Sequence, residues 1–226
     1  MKNIINQISE QIKNDIENLK YSDEKSTFEK VPFMADTEWK TLLKPPPSNR
    51  SASTQKDILE ICSMTSRRTK SEVDLVMKID RKVEAIFLPS LNSLKLEYPK
   101  DLVKDFWNVY YPIVSNIKNH FNRPRTWQLA PKYGMVIDIL ISESAQTPSY
   151  PSGHSAYAYI IEYILSEMYP LHRTLFSSLA EKVGWARKMQ GVHYQTDIDA
   201  ARKLTKIVYP KIKQYLKEEK GYATSK

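Results

Sequence analysis

Two short strings in the last third of the chain hold the residues best placed to do chemistry. One is Arg187-x5-His193-x3-Asp197 and the other is Tyr150-Pro151-Ser152-Gly153-His154. His193 and Asp197 are four residues apart, so on a helix they share a face and the carboxylate can accept a hydrogen bond from the imidazole. That bond fixes the tautomer, leaves the other ring nitrogen as a nucleophile, and stabilises the cation formed when it attacks. Arg187 offers a planar fork of donors suited to two non-bridging phosphoryl oxygens. Gly191 is one of only five glycines, which points to a close approach of the backbone to a ligand or another element. Taken alone, the string fits a satisfied His–Asp pair on a helix with a surface arginine equally well.

The second string precedes a segment, Ser155–Tyr169, that reads as a helix ending at Pro170. Ser152, Gly153 and His154 then sit at a helix N-terminus, where unpaired amides and the positive end of the dipole favour an anion. Gly153 removes a side chain that would block a ligand, Ser152 adds a hydroxyl donor, and His154 can protonate a leaving oxygen as general acid. The alternative is a Pro-Ser-Gly turn that caps a buried helix and leaves His154 merely exposed.

With Arg123-Pro124 upstream, these strings resemble the signature of the type 2 phosphatidic acid phosphatase superfamily, which includes the class A acid phosphatases and the vanadium haloperoxidases. That signature reads K-x6-R-P, then P-S-G-H, then S-R-x5-H-x3-D. The flanks SYPSGHSAYAY and GVHYQTDIDAAR are most similar to the class A acid phosphatases, and the likeness runs from about Phe106 to Arg202. The resemblance implies an all-α helical bundle and a phosphomonoester hydrolase needing no metal. In it His193 attacks phosphorus to form a phosphohistidine, Asp197 holds the ring, and His154 protonates the alkoxide and then activates water. Arg123, Arg187, Lys118 and the Ser152–Gly153 amides would stabilise the equatorial oxygens. No cofactor is implied, although vanadate could occupy the phosphate pocket, and a vanadate-dependent haloperoxidase is the nearest enzymatic alternative.

Two positions depart from the signature. Counting back from Arg123, the motif lysine falls on Asn116, with Lys118 two residues later, and Ala186 replaces the serine before Arg187. On one helix, positions 116 and 118 point ~200° apart. Lys118 is therefore expected to reach the pocket only if the helix ends or loosens between Asn116 and Arg123. Failing that, a structural or interaction protein with a weakened pocket becomes the better reading.

Other chemistry finds little support. Four histidines and one cysteine, Cys62, make no zinc spacing, and no glycine-rich nucleotide loop is present. The net charge of +8 suits a small phosphorylated substrate but equally suits binding to nucleic acid or an acidic surface. Much of the excess lies between Arg202 and Lys220 and reads as a solvated helix face rather than a nucleic-acid site. No segment approaches the ~18 apolar residues of a membrane helix, and Met1–Asn6 runs straight into polar residues without a signal-peptide core. The expected location is cytoplasmic.

The elements that must position these groups are mostly helical. Ile5, Ile8, Ile12, Ile16 and Leu19 form an apolar stripe on a first helix, and Pro45-Pro46-Pro47-Ser48 marks a stiff boundary. Residues 1–50 are read as an arm that packs on its own domain, on a second copy of the chain or on a partner protein. Residues 51–226 are read as the phosphatase-like domain. Within it, helices are predicted at Asp57–Met64, Ser71–Phe87, Asp105–Phe121, Ser155–Tyr169, from Ser177 past Trp185, and Asp197–Leu216. No alternating strand pattern appears.

Overall fold

Local signals in the sequence start and stop the helices that build the site. The structure is a computed structural model that describes residues 2–221, with side chains from residue 6 onward. Ile5 of the predicted stripe lies outside the described side chains. The first helix, α1, spans Lys2–Glu17; Ile16 is buried, while Ile8 and Ile12 stay more than half exposed.

Ser51 caps α2 (Ala52–Thr65) by accepting from the Thr54 amide. Thr69 and Glu72 close a capping box on α3 (Lys70–Arg81). Lys82 is extended and stops α3, so the predicted helix Ser71–Phe87 is two pieces, α3 and a 3-10 turn at Val83–Ile86, and a separate helix, α4 (Leu88–Leu94), follows. The break exposes the end of α3 toward the site. Next comes α5 (Lys100–Phe121), which ends where Asn122 turns left-handed at φ 47° and donates its amide back to Lys118. A single turn, α6, covers Thr126–Leu129.

The centre is α7 (Gly153–Met168), apolar nearly all round and packed against α5, α8 (Arg173–Met189) and α9 (Gln195–Lys220). Its buried residues join Phe106, Ile113, Val183, Leu204 and Val208 in the main core. A smaller core of Ile16, Ile58, Ile61, Leu129, Ile137 and Tyr194 ties α1 and α2 to the segment around α6. No strand occurs among the described residues, so the all-α bundle is the observed fold.

The N-terminal residues lie along this bundle. Val31, Met34, Trp39 and Leu43 are buried in the main core, and the Tyr21 amide donates to the Asn122 carbonyl. Asn49 caps the end of α1 by donating to the carbonyls of Ile16 and Leu19.

Candidate active site

Position 118 of α5 faces inward without any loosening of the helix. Asn116 and Lys118 are both buried but on different faces, as their ~200° separation requires. Asn116 accepts from the Glu29 amide at 2.7 Å and donates to the Glu29 carbonyl at 2.8 Å, so it fastens the N-terminal segment. Lys118 reaches a cavity of about 520 Å³ and donates to the Pro148 carbonyl. α5 does end between Asn116 and Arg123, at Phe121 with Asn122 left-handed, but Lys118 reaches the cavity from within the intact helix and needs no unwinding.

The arginine facing that cavity is not Arg123. Arg123 lies behind it, paired through Nη1 with Asp197 Oδ1 at 2.6 Å and stacked 3.9 Å over the Tyr194 ring. Arg125 lines the cavity instead, donating to the carbonyls of Thr147 and Val192 and placing Nη1 2.9 Å from His193 Nε2. The chain leaving α5 passes along the start of α9, so Arg123 meets Asp197 from the rear and Arg125 enters from the front. Lys118-x6-Arg125 has the motif spacing, with Thr126 where the motif has proline. Arg123-Pro124 carries the motif dipeptide but turns its guanidinium to Asp197 and away from the cavity. The spacing from Lys118 to Arg125 is the signal in the sequence that points to Arg125 instead.

His193 and Asp197 meet as the spacing predicted, with Nδ1 3.0 Å from Oδ2. Asp197 also accepts from the Tyr194 amide and from Arg123, so the carboxylate is fully engaged and the imidazole donates from Nδ1. Nε2 is left with a lone pair directed at Arg125 and the cavity. Gly191, at φ +82°, allows the turn between α8 and His193; a Cβ there would lie 2.7 Å from Ile137 Cγ2.

Gly153 and His154 line the same cavity, and helix geometry leaves their first-turn amides without an intrahelical carbonyl. Ser152 does not contribute in the expected way. Its hydroxyl caps α7 through the Ser155 amide and bonds Ser155 Oγ, and its own amide donates to the Asp197 carbonyl.

Arg187 is buried beneath a residue that sequence reasoning missed. Asp80, near the end of α3, takes Arg187 Nη1 on Oδ1 at 2.5 Å together with the hydroxyls of Ser142 and Ser144. The Asp80 carbonyl lies 3.0 Å from His154 Nε2, so one residue positions both the arginine and the second histidine. Nothing in the motif points to position 80, which joins the site only because α3 stops there.

The electrostatics follow from this arrangement. Burial, then Arg125, Lys118 and Arg187, hold the His193 imidazole well below its ordinary value, so it is neutral. Burial and Arg187 lower His154 to about 3. Burial would raise Asp80, but Arg187 and the two serines outweigh it and hold the carboxyl at about 2. Burial lowers Lys118 and brings Arg125 to about 10, each reinforced by neighbouring arginine charge. Among the described residues, neither Lys118 nor Arg125 forms an ion pair with a carboxylate, whereas Arg123 and Arg187 both do. Burial works against the charge on both groups and no carboxylate offsets it, so an entering anion would stabilise their charged forms and the site gains by admitting one.

Comparison with known proteins agrees with the motif order. The PAP2 superfamily profile matches residues 109–205. A non-specific acid phosphatase of Salmonella typhimurium is 28% identical over 127 residues, covering 44% of this chain and 51% of that protein. One from Providencia stuartii is 39% identical over 54 residues, 24% of this chain and 22% of that protein. The chain thus spans about half the length, or less, of these curated relatives. A crystal structure of a transmembrane PAP2-type phosphatidylglycerolphosphate phosphatase from Bacillus subtilis superposes with a TM-score of 0.50 at 20% identity, covering 77% of this chain and 91% of that one. No described helix of this chain is long and apolar enough to cross a membrane. Over residues 109–205 the chain is thus similar to the PAP2 superfamily, and its all-helical bundle is the fold of a PAP2-type phosphatase.

Proposed function

We propose that the chain is a phosphomonoester hydrolase that works through a phosphohistidine without a metal. The observation that carries this reading is the convergence of two carboxylate-free buried cations, Lys118 and Arg125, on the Nε2 face of a neutral His193. A phosphoryl group entering there takes the Arg125 donor onto its own oxygen and leaves the Nε2 lone pair facing phosphorus. The P–N bond then forms as the P–O bond to the leaving group breaks, and Asp197 stabilises the charge that develops on the ring. Lys118, Arg125 and the first-turn amides of α7 bind the equatorial oxygens, while Arg187 stays paired with Asp80.

His154 supplies the proton to the departing alkoxide. Its low proton affinity comes from burial and from cation charge, which two negative charges on a bound phosphoryl group would offset. Substrate binding therefore favours the protonated form when it is needed. The same imidazole, then neutral, takes a proton from water as its oxygen attacks phosphorus and the P–N bond breaks, releasing phosphate and His193.

The reading of a weakened, non-catalytic pocket draws on Asn116 at the lysine position, on Ala186 at the serine position, on the polyproline arm and on the amphipathic start; only the first bears on the missing cation. Lys118 lies in the cavity, which removes that ground. Hydrolysis of an aryl phosphate in excess chelator tests the proposal. His193→Ala should lower kcat by at least ~10³-fold, and vanadate should inhibit as a competitor for the same floor. Turnover that survives His193→Ala, or that vanishes with chelator and returns with metal, would overturn the mechanism.

A further inference from the structure

We propose that the cavity holds an aromatic subsite beside the phosphate floor, built by Trp107, Tyr111 and Tyr157, which selects substrates whose leaving group is a compact flat ring. The inference rests on the phosphate-floor reading above and adds to it the class of alcohol that the site accepts.

One helix face connects the two halves. Lys118, Val114, Tyr111 and Trp107 follow one another on α5 at spacings of four, three and four, and all line the cavity. Each step advances ~5–6 Å, so Val114 covers the wall beside the floor and the first ring stands about two steps from Lys118. From the facing helix α7, Tyr157 lies one turn beyond Gly153 and His154. Trp107 is 4.9 Å from the Tyr157 ring and 5.6 Å from the Tyr111 ring, at interplanar angles of 55° and 54°. The Tyr157 hydroxyl donates to Glu84 Oε1 at 2.8 Å, which fixes that ring while its face stays available. Tyr111 is 44% exposed; Trp107 and Tyr157 are half-buried, packing against the main core on one side and lining the cavity on the other.

Size and lining set the class of ligand. A cavity of about 520 Å³ is far larger than a phosphoryl group needs and falls within the ~300–1,000 Å³ of small-molecule sites. Charged side chains, among them the exposed Lys82 and Glu143, share the lining with the three rings, so the apolar surface offered to a leaving group is limited and suits one ring better than a long aliphatic chain. Ring faces reward a flat π-system by stacking, which is insensitive to the ring's exact identity.

Calorimetric titration with three non-hydrolysable phosphonates tests the subsite without needing turnover. Benzylphosphonate should bind at least about tenfold tighter than methylphosphonate, within the range of one stacked ring. Cyclohexylmethylphosphonate, of equal bulk but not flat, should fall clearly below benzylphosphonate. In Trp107→Leu the benzyl-to-methyl affinity ratio should drop to about threefold or less. Tyr111→Ser, at an exposed position, should reduce the same ratio even if the tryptophan variant folds poorly. Equal binding of benzyl and methyl probes, equal binding of benzyl and cyclohexylmethyl probes, or a ratio unmoved by Tyr111→Ser would overturn the aromatic subsite while leaving the phosphate floor intact. Binding of none of the three would overturn the floor and the subsite together.

Discussion

Arg123 and Arg125 sit two residues apart, and their side chains are 2% and 1% exposed, yet they belong to different regions of the molecule. The rear region is charge-paired. Arg123 joins Asp197, Thr196 and the Tyr194 ring, with the Asp57 carboxyl nearby and raised by its burial. The front region is charge-deficient, since Arg125 and Lys118 donate to carbonyls and to an imidazole. Residue type and burial are the same in both regions; the presence of a carboxylate differs. A buried cation that already has its counterion is architecture, and one that lacks it is a binding site for an anion.

The sharpest way to break this comparison is to remove each guanidinium in turn. Arg125→Met should lower kcat/KM by ~10²–10³-fold, as loss of a donor to a developing oxyanion does. Its Tm should change little, because a desolvated charge leaves with the side chain. Arg123→Met strands Asp197 without its partner, which costs ~3–5 kcal/mol and should lower Tm by about 10 °C. Steady-state kinetics with thermal melts separates the two. Equal stability losses in both variants would erase the distinction between front and rear.

A smaller effect concerns pH. His154 titrates at about 3 in the unliganded protein, so the proton it must donate is progressively lost as pH rises above that value. The rate of phosphoryl transfer, followed as kcat/KM, should therefore climb as pH falls from 8 toward 4. Asp80→Asn removes a carboxylate that raises the His154 value and offsets Arg187, so the profile should shift to still lower pH. A shift toward higher pH would mean that Asp80 does not act through His154.

The smallest effect belongs to Asn116, outside the cavity. Asn116→Ala breaks two hydrogen bonds to the Glu29 backbone and should cost ~1–2 kcal/mol. Activity should stay within about twofold, since Lys118 on the other face of α5 is the group in the cavity. A collapse of activity would return position 116 to the site.

Much of this protein was legible from local pattern. The His193–Asp197 pair, the α7 N-terminus at Gly153 and His154, and the helices that hold them follow from spacing, capping residues and apolar periodicity, which act within a few residues. Single-turn effects were less visible: the extended Lys82 that divides the predicted helix after α3 is one such case. What only the tertiary structure decided is which charge meets which. Arg123-Pro124 reproduces the motif dipeptide, but Asp197, 74 residues later, claims Arg123 and leaves the pocket to Arg125. Asp80 reaches Arg187 across 107 residues, and no periodicity links them. Local order depends on neighbours along the chain and is written in spacing; pairing of buried charges depends on neighbours in space, where desolvation makes each counterion decisive.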